Sequence, residues 1–150
     1  MNTLAFRFAL FLLLFNSAIV SAQFWSAFPC SNISGPVIEL AADTNELFMG
    51  GAFPDKIAYY NLMNGCQGGF PDPNLQIRSM ALYNGDLYVS GFAFPPDSTK
   101  IYRLSNNGWS VVATSFSAII DVLQVYNNEL YAGGIFVEFE GNQANHIARY

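Results

Sequence analysis

From Val37 onward, apolar and polar positions alternate in short runs broken by Asn, Asp and Gly. A period of two is that of β-strands with one face turned inward, and the breaks are those of tight turns. The alternation itself recurs as a unit. Residues 37–51 read VIELAADTNELFMGG, residues 77–91 read IRSMALYNGDLYVSG, and residues 120–134 read IDVLQVYNNELYAGG. Each unit predicts a strand, a turn centred on Asn (Thr44 and Asn45, Asn84 and Gly85, Asn127 and Asn128), and a second strand. That second strand opens on an acid, Leu and an aromatic residue and closes on small residues. The shared Leu falls at Leu47, Leu87 and Leu130, spacings of 40 and 43 residues.

The rest of the period matches as well. Phe53, Phe94 and Phe136 follow the small residues, then come a variable loop and a third strand reading IAYY at 57–60, IYRL at 101–104 and IARY at 147–150. Asn106, Asn107 and Gly108 predict a further turn, and Trp109, Val111 and Val112 a fourth, outer strand. The chain therefore predicts three repeats, over approximately 37–76, 77–118 and 119–150, each a four-stranded antiparallel unit, with the last lacking its fourth strand. Asn-Gly supplies the positive φ angles of a two-residue hairpin. The Gly pairs let strands approach closely, and the Leu and aromatic positions fill layers between neighbouring sheets that no single sheet can bury.

Leu, an aromatic, Gly-Gly, a later Ile-Ala-x-Tyr strand and then Asn-Gly-Trp resemble the kelch-like, galactose-oxidase-type β-propeller repeats, including those of secreted and cell-surface proteins. The resemblance spans about residues 24–150. It implies an all-β propeller of four-stranded antiparallel blades with about three blades present, a partial or open propeller over 23–150. Its motifs are specific for fold and not for function, because this scaffold carries lectins, adhesion modules and a few oxidases. Closed propellers have about 4 to 8 blades. Three therefore imply either part of a longer protein or a homo-oligomer, for instance a two-fold pair giving six blades. Phe24 and Trp25 stand before Val37 much as Trp109 stands before Ile119, so Trp25 is expected to open an outer strand of the kind that closes such rings against the last blade.

Composition adds a compartment. Residues 1–22 carry Arg7, an apolar run over 8–15, and a small-residue end at Val20, Ser21 and Ala22, the layout of a signal peptide cleaved after Ala22. A retained anchor is the weaker reading, since residues 4–20 contain Arg7 and fall short of the ~20 residues that span a bilayer. No other segment is apolar enough to span one, so the expected product is secreted, extracellular and free of membrane spans. In that setting Cys30 and Cys66 predict a disulfide, and Asn32, Ile33 and Ser34 form an N-glycosylation sequon in which Asn32 is the acceptor. A strand opening at Trp25 would leave Cys30 about 16 Å out of step with Cys66, beyond the reach of a disulfide, so the bridge and the closing strand are competing expectations.

The formal charge is −5, and the six basic residues lie far apart, which excludes the basic stripe of a nucleic-acid binder. His146 is the only histidine. Copper chemistry of the galactose-oxidase type implies two His, so no catalytic residue, metal or cofactor is expected. Asp43, Glu46, Asp86 and Glu129 lie at turns, and Asp55, Asp97, Glu138 and Glu140 in loops, without the dense spacing of a calcium loop. The variable loops at 54–56, 95–100 and 137–145 are the expected recognition surface. The reading is a non-catalytic, secreted or cell-surface module that binds a protein or glycan. The alternative is a truncated portion of a propeller oxidoreductase whose active-site residues are absent here.

Overall fold

Four strands per repeat need three reversals, and the turn residues supply them. The computed structural model describes residues 25–67, 69–70, 75–93, 98–106, 108–115 and 119–150; the expected signal peptide lies outside the described residues. The first sheet comprises β1 (Val37–Ala42), β2 (Glu46–Gly51), β3 (Ile57–Asn61) and β4 (Gly65–Gln67), in that order. The second comprises β5 (Leu75–Tyr83), β6 (Asp86–Ala93), β7 (Ser98–Ser105) and β8 (Gly108–Ser115). After β9 (Ile119–Tyr126) and β10 (Glu129–Ile135), a small hairpin of β11 (Glu138–Phe139) and β12 (Asn142–Gln143) intervenes before β13 (Ile147–Arg149), which completes a three-stranded sheet of order β13-β10-β9. Every pairing is antiparallel, and the described residues contain no helix. The fold is all-β.

The first hairpins are built in two ways. Asn84 and Gly85 take φ of 52° and 81°, and Asn127 and Asn128 take 49° and 60°. Both pairs are left-handed turns whose twist matches their strands. Neither Thr44 nor Asn45 takes a positive φ. There the Asp43 carboxylate accepts from the amides of Asn45 and Glu46, each at 2.8 Å, and holds the turn from outside.

One irregularity recurs in all three copies. The register slips between Val37 and Glu39, between Ile77 and Ser79, and opposite Gly133 and Gly134. Ile38, Arg78 and Asp121 are thus the extra residues of β-bulges at one and the same place in the repeat. The second glycine of each unit explains why the strands close so tightly beside the bulge. A Cβ at Gly51, Gly91 or Gly134 would fall far inside van der Waals contact of the carbonyl of Pro36, Gln76 or Ile119. In the first unit the preceding glycine clears space between sheets instead, since a Cβ at Gly50 would lie 2.8 Å from the Met80 sulfur of the next sheet.

The sheets stack in chain order through their inner strands, β5 lying against both β1 and β9. Phe48 and Ile57 of the first sheet pack on Ile77, Met80, Leu87 and Val89 of the second. Tyr88 and Ile101 on the opposite face of the second pack on Ile120, Leu123, Leu130 and Ala132 of the third. Among the described residues nothing packs on the corresponding outward face of the third sheet: Ile147 is 60% exposed, whereas its equivalents Ile57 and Ile101 are 1% and 5% exposed. The outer face of the first sheet is covered instead by residues 25–36, with Cys30 and Ile33 packed on Met49, Phe53 and Ala58, and Phe28 edge-on to Tyr60 at 5.0 Å.

Cys30 and Cys66 form the disulfide, with Cα atoms 5.4 Å apart. Of the two competing expectations the bridge prevails. It draws the N-terminal segment across the sheet face rather than along an edge, and Trp25, fully exposed, belongs to no strand.

Candidate functional site

The loops between second and third strands leave the same end of each sheet as the bulges do. In the first sheet that loop is short. Lys56 takes φ of 54°, its N–H donates to the Phe53 carbonyl at 2.9 Å, and its carbonyl accepts from Gly51 N–H at 2.8 Å. In the third sheet the loop is longer, yet its ends are held identically. His146 takes φ of 65°, its N–H donates to the Phe136 carbonyl at 2.8 Å, and its carbonyl accepts from Gly134 N–H at 3.1 Å. Phe53 and Phe136 are both buried beneath these clamps. The single histidine is therefore placed by its backbone in a role that Lys56 fills elsewhere, with its ring exposed.

The loop expected at 137–145 is ordered. It forms the β11–β12 hairpin, Phe139 packs on the core between the second and third sheets, and the Glu140 carboxylate accepts from Thr114 N–H at 2.7 Å. The loop at 95–100 begins outside the described residues, which resume at Ser98 already in β7.

Between these loops the bulge residues of neighbouring sheets meet. Arg78 Nη2 and Nε lie 2.6 and 2.9 Å from Asp121 Oδ1, and the guanidinium stands 5.8 Å from the centre of the Phe92 ring. Both side chains are about two-fifths exposed, so water screens the pair and it contributes little to stability. Its value is positional: a fixed cation, anion and ring at one end of the stack. Ile38, the third bulge residue, is exposed and lines a shallow depression with Pro54, Lys56 and Gln76. A second groove of about 340 Å³ runs between the inner strands, bordered by Glu39, Ser79, Asp121 and Gln124.

The acids singled out by their spacing are mostly engaged locally. Glu46 accepts from the Asn61 amide, Asp86 pairs with Arg103 at 2.9 Å, and Glu129 holds both Arg149 and the Tyr131 hydroxyl. That hydroxyl bond raises the Tyr131 pKa above the ordinary phenol value. Among the described residues, no three of His, Cys, Asp and Glu converge where they could hold a metal ion. Asn32, the sequon residue, is half-buried and donates from Nδ2 to the Gln67 carbonyl at 3.2 Å. A glycan on that nitrogen would leave one hydrogen for the bond.

No protein-family model matches the chain, and a search of curated proteins finds no similar sequence. No helix among the described residues is long and apolar enough to cross a membrane.

Proposed function

We propose that this chain is a partial kelch-like β-propeller, secreted after removal of residues 1–22, that binds a protein or glycan without catalysis through the loops joining its second and third strands. The observation that carries the reading is the recurrence of one backbone plan in three consecutive sheets, with the bulge residues Ile38, Arg78 and Asp121 brought to the same end as the loops. A repeat that preserves its frame while varying one end is built for recognition at that end. An Arg, a carboxylate and a half-buried ring suit either a polar peptide or a sugar face. The disulfide between Cys30 and Cys66 accords with an oxidising compartment.

The test is to express the whole chain with its leader, follow whether it is exported and cleaved, and probe glycan and protein arrays with the product. Arg78→Glu and a replacement of residues 137–145 by a short Gly-Ser turn are expected to abolish capture of whatever ligand binds. Binding untouched by both changes, or turnover of a substrate in place of binding, would overturn the proposal.

A further inference from the structure

The sequon at 32–34 is tied to the first sheet beside the disulfide. Cys30 is bonded to Cys66 of β4, and the Asn32 amide nitrogen donates to the carbonyl of Gln67, the next residue along β4, at 3.2 Å. Ile33, the middle residue of the sequon, packs with Cys30 on Met49, Phe53 and Ala58. Asn32 and Ile33 are therefore docked on the sheet, and Ser34 alone is exposed.

This docking serves stability poorly. Asn32 Oδ1 is buried, and among the described residues it accepts no hydrogen bond. One bond gained at Nδ2 is set against an acceptor stripped of water, and the loss is at least as large as the gain. Stability therefore does not account for an Asn at this position.

The docked amide also leaves no place for a glycan. Transfer to Nδ2 forms a bond from nitrogen to the anomeric carbon of a lipid-linked sugar, breaks that carbon's bond to the lipid pyrophosphate, and releases one amide proton. The product is a secondary amide, planar like a peptide bond, with its substituent on the side of the carbonyl oxygen and its remaining N–H opposite. The sugar would stand beside Oδ1, where the surface is already closed. Asn32 can react only when its segment is lifted off the sheet. The bridge opposes that lifting, because it holds the Cys30 Cα 5.4 Å from that of Cys66 with only Ser31 between Cys30 and the acceptor.

We propose that Asn32 accepts an N-linked glycan only while Cys30 and Cys66 are still thiols, and that closing the bridge retires the site. In the closing step the two thiols exchange with the disulfide of an oxidoreductase: the Cys30–Cys66 bond forms, the oxidoreductase bond breaks, and its sulfurs take up the two protons as a dithiol. Glycan and bridge compete in time for one short segment, and the glycosylated fraction records which came first. The inference rests on the reading that the chain is exported to an oxidising compartment, and it is independent of recognition at the loop end.

The experiment translates the whole chain with endoplasmic-reticulum microsomes, in oxidised glutathione or in dithiothreitol, and measures the endoglycosidase-sensitive fraction on gels. Cys30→Ala/Cys66→Ala cannot bridge; Ala is used because Ser at position 66 would make a new sequon with Asn64 and Gly65. Asn32→Gln/Asp86→Thr moves the sequon to Asn84, in the exposed turn between β5 and β6, and reports whether the chain reaches the glycosylating enzyme. The ratio of glycosylated to unglycosylated parent is expected to rise about threefold or more in dithiothreitol, since with the bridge closed the amide is freed only by local opening. The variant without cysteines is expected to match the reduced parent in both conditions, and the Asn84 control to be glycosylated equally in both. Parent glycosylation indifferent to dithiothreitol, or absent at Asn32 while the Asn84 control is modified, would overturn the proposal. An unmodified control that keeps its leader would overturn the reading of export, and this inference with it.

Discussion

The Leu123 amide donates to Ser79 Oγ at 3.0 Å, across the boundary between the third and second sheets, with both residues at most 3% exposed. This buried side-chain bond crosses the apolar layer between the two sheets, adding to the Arg78–Asp121 pair at its end, and it ties the sheets at one register. Ser79→Ala removes the acceptor and strands a buried N–H. Stability is expected to fall by about 1–3 kcal/mol, read as a lower urea midpoint with an unchanged slope. An unchanged midpoint would mean that the amide finds another partner.

Gly91 lies in a strand where its φ is unexceptional, so its requirement is one of space. Gly91→Ala drives a methyl group into the Gln76 carbonyl and Leu75. A loss of about 1–3 kcal/mol is expected, measured by thermal melting, because the hairpin must open beside its bulge to admit the group. A variant as stable as the parent would refute that account of the tight approach.

The Cys30–Cys66 bridge closes 36 residues and holds the N-terminal segment over the first sheet. Replacing both cysteines by Ser is expected to cost about 3–4 kcal/mol by freeing the unfolded chain. It should also expose residues 25–36 to limited proteolysis ahead of the sheets. Cleavage elsewhere first would show that the segment stays in place by packing alone.

Ile57, Ile101 and Ile147 occupy one position of the repeat in three environments. Ile101→Glu places a carboxylate in a layer where the side chain is 5% exposed and is expected to unfold the chain or destabilise it severely. Ile147→Glu, where the side chain is exposed, is expected to change stability by no more than about 0.5 kcal/mol. Circular dichroism melts of the two variants side by side provide the check.

Burial first, and then the neighbouring Tyr150, raise the pKa of Tyr88 above that of a free phenol. A raised acid pKa in the folded state means that the unfolded chain ionises first. The contribution is therefore fully present below about pH 10 and is lost as pH rises from there through the folded value. Urea midpoints are expected to fall as the pH rises past about 10, and Tyr88→Phe to flatten part of that fall. A slope identical to that of the parent would remove Tyr88 from the explanation.

Local pattern made the strands legible. The alternation and the Asn turns predicted the four strands of the first two units and the first three of the last, with β5 starting two residues earlier than expected, at Leu75. The cysteine pair was legible from the expected compartment and from number. The bulges were not, because Ile38, Arg78 and Asp121 share no side-chain chemistry and the irregularity belongs to the backbone alone. The Arg78–Asp121 contact was hidden for the same reason, since it joins residues 43 apart that only stacking brings together. The β11–β12 hairpin read as loop because two-residue strands carry no periodicity. His146 drew attention as the single histidine, whereas its position answers to φ and to two backbone bonds.

The clamp built from Phe53, Lys56 and Gly51, and again from Phe136, His146 and Gly134, closes over two residues in one sheet and nine in the other without altering the strands it joins. The ladder is thereby insulated from the length of loop it carries, although Phe139 of the longer loop also packs on the neighbouring core. Insertions between the buried Phe and the left-handed residue reach solvent without loading the ladder, which makes that interval a graft point where foreign sequence of varied length can be carried by an unchanged scaffold.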